Sequence, residues 1–228
     1  MGYTHYWHRP AVIEQNTFSA IRADFERLIL PLADAGVELA GGLGEGPPDI
    51  TDQIIRFNGR TDCGHLKNEE ISIPYPSEGA EGVGSNSSAL DQSADGLVTR
   101  VRHRCCDGRC SYETFSLPRS LDTEQHRDPD ENGFYIEYVK TGFRPYDVAV
   151  TAVLMIAKHH LNDNFVVSSD GGDHQWADAR RLCQRVLGYG DWFGIVEEQI
   201  VEEWPGSPPT KRNVRLRTLV ELDPAGLT

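Results

Sequence analysis

Four side chains in this sequence supply the groups that general acid–base chemistry needs: an imidazole at His5, carboxylates at Glu113 and Asp170, and an ammonium at Lys140. Groups of the first two kinds move protons, and a fixed cation stabilises the charge that develops. Arg144 and Asp147 belong to the same set. Each lies in or beside an expected strand or at an expected helix start. Asp170 ends a strand and precedes Gly171-Gly172, a position where functional side chains are often presented. Strands of one sheet can aim side chains at a common face, so His5, Glu113, Lys140 and Asp170 are expected to converge on one pocket. Tyr3, Tyr6, Trp7 and Arg144 would line it as substrate-binding groups. Each residue also has a plain structural role available. Asp147 suits a helix N-terminus, Asp170 a turn cap, Lys140 a solvated strand, and His5 a hydrogen-bonded core position.

A second constellation offers soft metal ligands. Cys63-Gly64-His65 lies about forty residues before His103-Arg104-Cys105-Cys106 and Cys110. Zinc takes about four such groups in a tetrahedron. The spacing is not that of a standard finger. The expected ligand set is Cys63, His65 and Cys110 with one of Cys105 or Cys106, and the binding energy would help fold a segment that has little core of its own. The alternative is free thiols in a loop. Cys183, far away on an expected helix, reads as a small buried hydrophobe. His159-His160 suits a helix C-terminus, where the dipole favours a cation.

Standard motifs are missing. The glycine run at 41–46 is not Gly-x-Gly-x-x-Gly and is not followed by Gly-Lys-Ser/Thr, so it reads as a turn between strands. There is no His-Glu-x-x-His, Gly-x-Ser-x-Gly or Cys-x-x-Cys pair.

The elements that must position these residues follow from periodicity. Residues 3–9 read as an aromatic strand ended by Pro10. Phe18, Ile21, Phe25, Leu28 and Leu32 recur at helical spacing, so residues 17–35 form a helix capped at Asn16 or Thr17 and stopped at Gly36. Short strands are expected at 37–40 and 50–58, and further strands at 111–118, 134–141 and 165–168. Pro145 opens a helix through about Leu161 that is apolar over most of its circumference, as a buried helix is. Residues 173–187 form another helix. Residues 193–204 and 214–222 would make a terminal hairpin around Gly206-Ser207-Pro208-Pro209. Runs of strands separated from helices give an α+β fold, a mainly antiparallel sheet packed against about three helices. The chain reads as a single domain with an inserted excursion at 60–110 and a C-terminal extension at 191–228. Within the excursion, residues 77–96 hold five Ser, four Gly and four acidic residues with no Lys or Arg, and a mobile loop is expected there.

The net charge of −13 over 228 residues disfavours nucleic acid and anionic membrane as partners. No apolar run approaches the roughly 18 residues of a membrane span. The first seven residues lack the regions of a signal peptide, so a soluble cytoplasmic protein is expected.

Several segments carry a family resemblance: Gly2-Tyr3-Thr4-His5-Tyr6-Trp7, Ala40-Gly41-Gly42-Leu43-Gly44, Phe57-Asn58-Gly59, Glu113-Thr114-Phe115, Lys140-Thr141, Pro145-Tyr146-Asp147, Ala157-Lys158-His159-His160 and Ser168-Ser169-Asp170-Gly171. In these, over residues 1–59 and 111–190, the chain resembles a group of small uncharacterised bacterial and phage proteins beginning Met-Gly-Tyr-Thr-His-Tyr-Trp. That group has no assigned activity, so the resemblance implies one ancestral domain and no chemistry. Two functions stay open. One is a small-molecule enzyme using acid–base chemistry, a lyase, isomerase or hydrolase. The other is a non-enzymatic binding or adaptor protein with a zinc-stapled insertion.

Overall fold

The computed structural model describes residues 3–71, 90–92, 98–100, 104–124, 128–190, 193–196 and 199–202. Among them the fold is α+β, with three α-helices against antiparallel sheets. Strand β1 (Thr4–Arg9) lies between β10 (Tyr135–Lys140) and β11 (Val166–Ser169), and β13 (Gln199–Glu202) and β12 (Phe193–Val196) continue the sheet beyond β11. Every pairing in it is antiparallel.

The aromatic opening of the chain forms a strand whose alternate side chains have different fates. His5, Trp7 and Arg9 are buried, while Tyr6 and His8 are half-exposed. Residues directly opposite on paired strands share a face. His5 pairs with Val139 and Ser169, which are buried; Thr4 pairs with Lys140 and Tyr6 with Tyr138, whose partners are exposed. One face therefore meets the helices, and the other carries Tyr6, Tyr138 and Lys140.

Helix α1 (Gln15–Asp34) buries the expected stripe of Phe18, Ile21, Phe25, Leu28 and Leu32. It continues through Pro31 and ends before Gly36, which has φ of +81°. Its N-terminal cap is Glu14, whose carboxylate accepts the Thr17 amide at 3.0 Å, rather than Asn16 or Thr17. Helix α2 (Asp147–Leu161) is buried continuously from Asp147 to Ala157 and packs on α1 and on α3 (Ala177–Leu187).

A second layer of strands supports α1. Strand β4 (Ile54–Gly59) pairs with β2 (Leu39–Ala40), β3 (Asp49–Ile50) and β9 (Phe115–Pro118). The glycine run between β2 and β3 is the expected turn: Gly41 donates to the carbonyls of Glu45 and Gly46. Phe57 is stacked with Phe25 at 5.1 Å and lies 5.0 Å from Phe115, which joins helix and strands in one core.

The excursion contributes two pairs, β5 (Lys67–Ile71) with β8 (Arg104–Asp107) and β6 (Leu90–Gln92) with β7 (Val98–Arg100). Leu90–Gln92 is a strand within the stretch expected to be a mobile loop; the rest of residues 77–96 lies outside the described residues. Of the terminal hairpin expected from 193–204 and 214–222, the second strand lies outside the described residues. Val196 pairs with Gln199, so one run expected as a single strand doubles back on itself, and residues 203–228 lie outside the described residues. No helix among the described residues is long and apolar enough to cross a membrane.

Truncating Phe57 to alanine removes the ring shared by α1, β4 and β9. We expect a loss of about 3–5 kcal/mol in urea unfolding. A loss below about 1 kcal/mol would show that these elements do not share one close-packed core.

Candidate metal centre

The excursion begins and ends at the same place because two backbones touch. A Cβ on Gly59 would overlap the Cys110 carbonyl, and the Cys110 amide donates to the Arg60 carbonyl at 2.9 Å. Asn58 locks the junction. Its amide donates to the carbonyls of Gly42 (3.3 Å) and Tyr112 (3.0 Å), and its oxygen accepts the amides of Gly59 (2.8 Å) and Tyr112 (3.0 Å).

On this base two glycine turns aim four ligands at each other. Gly64 (φ +76°) separates Cys63 from His65, and Gly108 (φ +76°) lies between Cys106 on β8 and Cys110. The Sγ atoms of Cys63 and Cys106 are 3.4 Å apart, and His65 Nδ1 is 3.2 Å from Cys110 Sγ. All four ligand atoms lie within 4.8 Å of one another. A tetrahedral zinc with bonds of about 2.3 Å to sulfur and 2.0 Å to nitrogen needs ligand atoms roughly 3.5–3.8 Å apart. The three cysteines are free thiols. Cys106 and Cys110 are buried, Cys63 and His65 half-buried. A cavity of about 150 Å³, lined also by Gly36, Glu38, Arg60 and Pro145, reaches Cys63, His65 and Cys110 and gives an ion a way in.

The protonation pattern suits a cation. Burial works against a charged Cys63, but the His65 amide, the Cys106 and Cys110 thiols and the His65 ring outweigh it and bring its pKa down to about 7. Burial, then the neighbouring Cys63, pushes the Cys106 and Cys110 thiols up. A thiol with a lowered pKa beside two with raised values is a site that gains from a metal able to displace their protons. With four protein ligands the site is closed, as structural zinc sites are. Of the candidate ligands, Cys63, His65, Cys106 and Cys110 come together; the Cys105 side chain lies outside the described set.

Strand β8 has a second task. Arg104, two residues before Cys106 and buried like it, enters the core. Its guanidinium pairs with Asp178 and, at 3.4 Å, with Asp147, donates to the Gln175 carbonyl at 3.3 Å, and lies 4.9 Å over the Phe143 ring. Asp147 Oδ1 also lies 2.8 Å from His5 Nε2 and accepts from Thr141 Oγ1 at 2.6 Å. His5 Nδ1 is 3.0 Å from Ser169 Oγ, which accepts the Gly171 amide at 2.9 Å. The edges of Tyr3 and Trp176 flank the His5 ring at 5.0 and 5.2 Å. Burial alone would raise the Asp147 pKa; His5, its hydrogen bond, Arg104 and Thr141 together hold it below the usual carboxylate range.

Ser169, His5 and Asp147 thus stand in the order of a nucleophilic relay. His5 and Asp147 are 0% exposed and Ser169 6%, and the serine oxygen already serves the Gly171 amide. The arrangement closes a core rather than opening to a substrate.

The remaining members of the expected acid–base set are elsewhere. Lys140 lies on the opposite face of the sheet from His5, because its register partner is Thr4. The exposed Glu113 accepts the Lys140 amide at 2.8 Å, and the exposed Asp170 accepts the Thr4 amide at 3.0 Å. The fold does not bring His5, Glu113, Lys140 and Asp170 to one pocket: an odd spacing in register separates faces that sequence alone leaves unassigned. The residues expected to bind substrate scatter in the same way. The Trp7 indole is buried and donates to Glu137 at 3.1 Å. Tyr6 sits near Tyr138 on the outer face. Tyr3 packs so close to Gly171 that a Cβ there would strike its hydroxyl. Arg144 pairs with Asp107 at 3.3 Å. Of the other candidates, His160 bonds Asp24 at 2.8 Å, His159 stacks on Tyr189, and Cys183 is buried in the core. Sequence reading gives no role to Arg104, Thr141, Ser169 or Asp178; Arg104 lies in the run before Cys105-Cys106, and Thr141 and Ser169 lie in segments that carry the family resemblance.

A scan against protein-family models, a search of curated proteins and a search of solved structures find nothing that matches this chain.

Asp147 makes a signed prediction about pH. A carboxylate whose folded pKa is depressed contributes stability above its unfolded pKa of about 3.9 and loses it as pH falls through the lower folded value. Urea midpoints measured from pH 6 to pH 2 should fall most steeply below about pH 4, and Asp147→Asn should flatten that fall while lowering stability at pH 6. An unchanged slope in the variant would show that Asp147 is not a main acid-sensitive group.

Proposed function

We propose that this protein is a non-enzymatic binding or adaptor module whose excursion is stapled by one zinc ion. The observation that carries this reading is the convergence of Cys63, His65, Cys106 and Cys110 within 4.8 Å. The donor set is three sulfurs and one imidazole nitrogen, which zinc favours over hard cations. Around the ligand loops stand exposed apolar side chains suited to a partner: Leu66 (76% exposed) follows His65, and Leu43 (89%) and Tyr112 (50%) belong to segments hydrogen-bonded to Thr61 and Asn58. The acid–base reading has less behind it, since His5 has both ring nitrogens engaged inside a closed core.

Elemental analysis of protein purified without chelator should give about one zinc per chain, the stoichiometry of a single four-ligand site. Cys63→Ser combined with Cys110→Ser should abolish it, and chelation of the wild type should lower the thermal midpoint. Protein that neither carries nor takes up stoichiometric zinc would sink the proposal.

A further inference from the structure

We infer that the ion also controls the core: by fixing Cys106 it seats Arg104 between Asp147 and Asp178, so metal occupancy sets the state of the buried network around His5. The inference rests on the metal reading above. Its basis is the two-residue step along β8, which puts a ligand and a core cation on one short strand, about 7 Å apart along the chain. Among the described residues, Asp107 at the end of β8 adds only exposed ion pairs. Asp107 pairs with Arg144 in the body at 3.3 Å and with Lys67 on β5 at 3.8 Å, but Asp107 and Lys67 are exposed, and such pairs contribute little. Pairing with β5 joins β8 to another part of the excursion, not to the core.

The core end of the link is costly to leave open. Asp147 and Asp178 are buried, and each has Arg104 as a cationic partner. If β8 shifts, Asp147 keeps His5 and Thr141, while the Asp178 ion pair with Arg104 is lost. The network then passes the change along contacts already in place: Asp147 to His5, His5 to Ser169 and to the Trp176 ring. Because binding coupling is reciprocal, seating Arg104 must in turn strengthen the metal site.

Hydrogen exchange on the full chain tests this, with zinc bound and after its removal by a chelator. Exchange should rise in residues 141–150 and 169–180 as well as in 60–71 and 104–110, while α1 stays protected. Separately, Arg104→Gln keeps all four ligands and should weaken zinc binding about 5- to 150-fold, the usual range of coupling between sites. If zinc binds but exchange changes only at 60–71 and 104–110, or rises equally through α1, the inference is overturned and the metal reading stands. Unchanged zinc affinity in a folded Arg104→Gln variant overturns it as well. Protein that takes up no zinc removes the metal reading itself.

Discussion

The carboxylate of Asp147 is the constraint around which this fold is arranged. It is wholly buried at the first turn of α2, where the helix dipole favours a negative charge but does not replace lost water. Its compensation comes from His5 on the central strand, Thr141 after β10, and Arg104 on the return strand of the excursion. Removing one partner of a buried ion pair costs on the order of 3–5 kcal/mol, because the remaining charge is stranded. That cost fixes which face of β1 turns inward, and hence which face Trp7 and Arg9 share. Arg9 follows the same logic: buried, it donates to the carbonyls of Pro10, Pro118 and Arg119, lies 3.5 Å from the Glu137 carboxylate, and ties β1 to the strand layer under α1.

The excursion is therefore part of the core's chemistry and not an ornament on it. Long surface insertions are usually tolerated because loop closure costs grow slowly with length. Here the base of the insertion is held by the Gly59–Cys110 backbone approach and the Asn58 hydrogen bonds, four groups able to take a metal converge beside it, and its last strand lends a guanidinium to two core carboxylates. A metal at that base would fasten the strand that completes the charge balance.

Much of this architecture was legible from the residues. The apolar stripe of α1, the all-round apolar α2 and the glycine stops follow from periodicity and backbone freedom. The candidates Cys63, His65 and Cys110, with Cys105 or Cys106, stand out by type, since clustered thiols and an imidazole match the donors that zinc takes. What sequence could not supply was parity and partner. His5 and Lys140 both sit on strands, but only the register Thr4 to Lys140 reveals that they face apart. Nothing local to Arg104 says that it will meet Asp147 and Asp178. Glu14 took the cap from Asn16 and Thr17 because a longer carboxylate one turn back reaches the Thr17 amide equally well.

The far-flung origin of the Asp147 partners bears on how the chain acquires its structure in time. His5 and Asp147 are 142 residues apart, His5 and Ser169 are 164, and Arg104 and Asp178 are 74. None of these links forms early from neighbours in sequence, and chains dominated by distant pairings fold slowly because closure entropy precedes reward. The helices and the β4–β9 pairing bury apolar surface without the charge network and are free to assemble first. A chain that collapses before the Arg104 guanidinium arrives holds Asp147 with His5 and Thr141 alone and Asp178 without its ion pair, so the excursion must return to its base before the charge balance is complete.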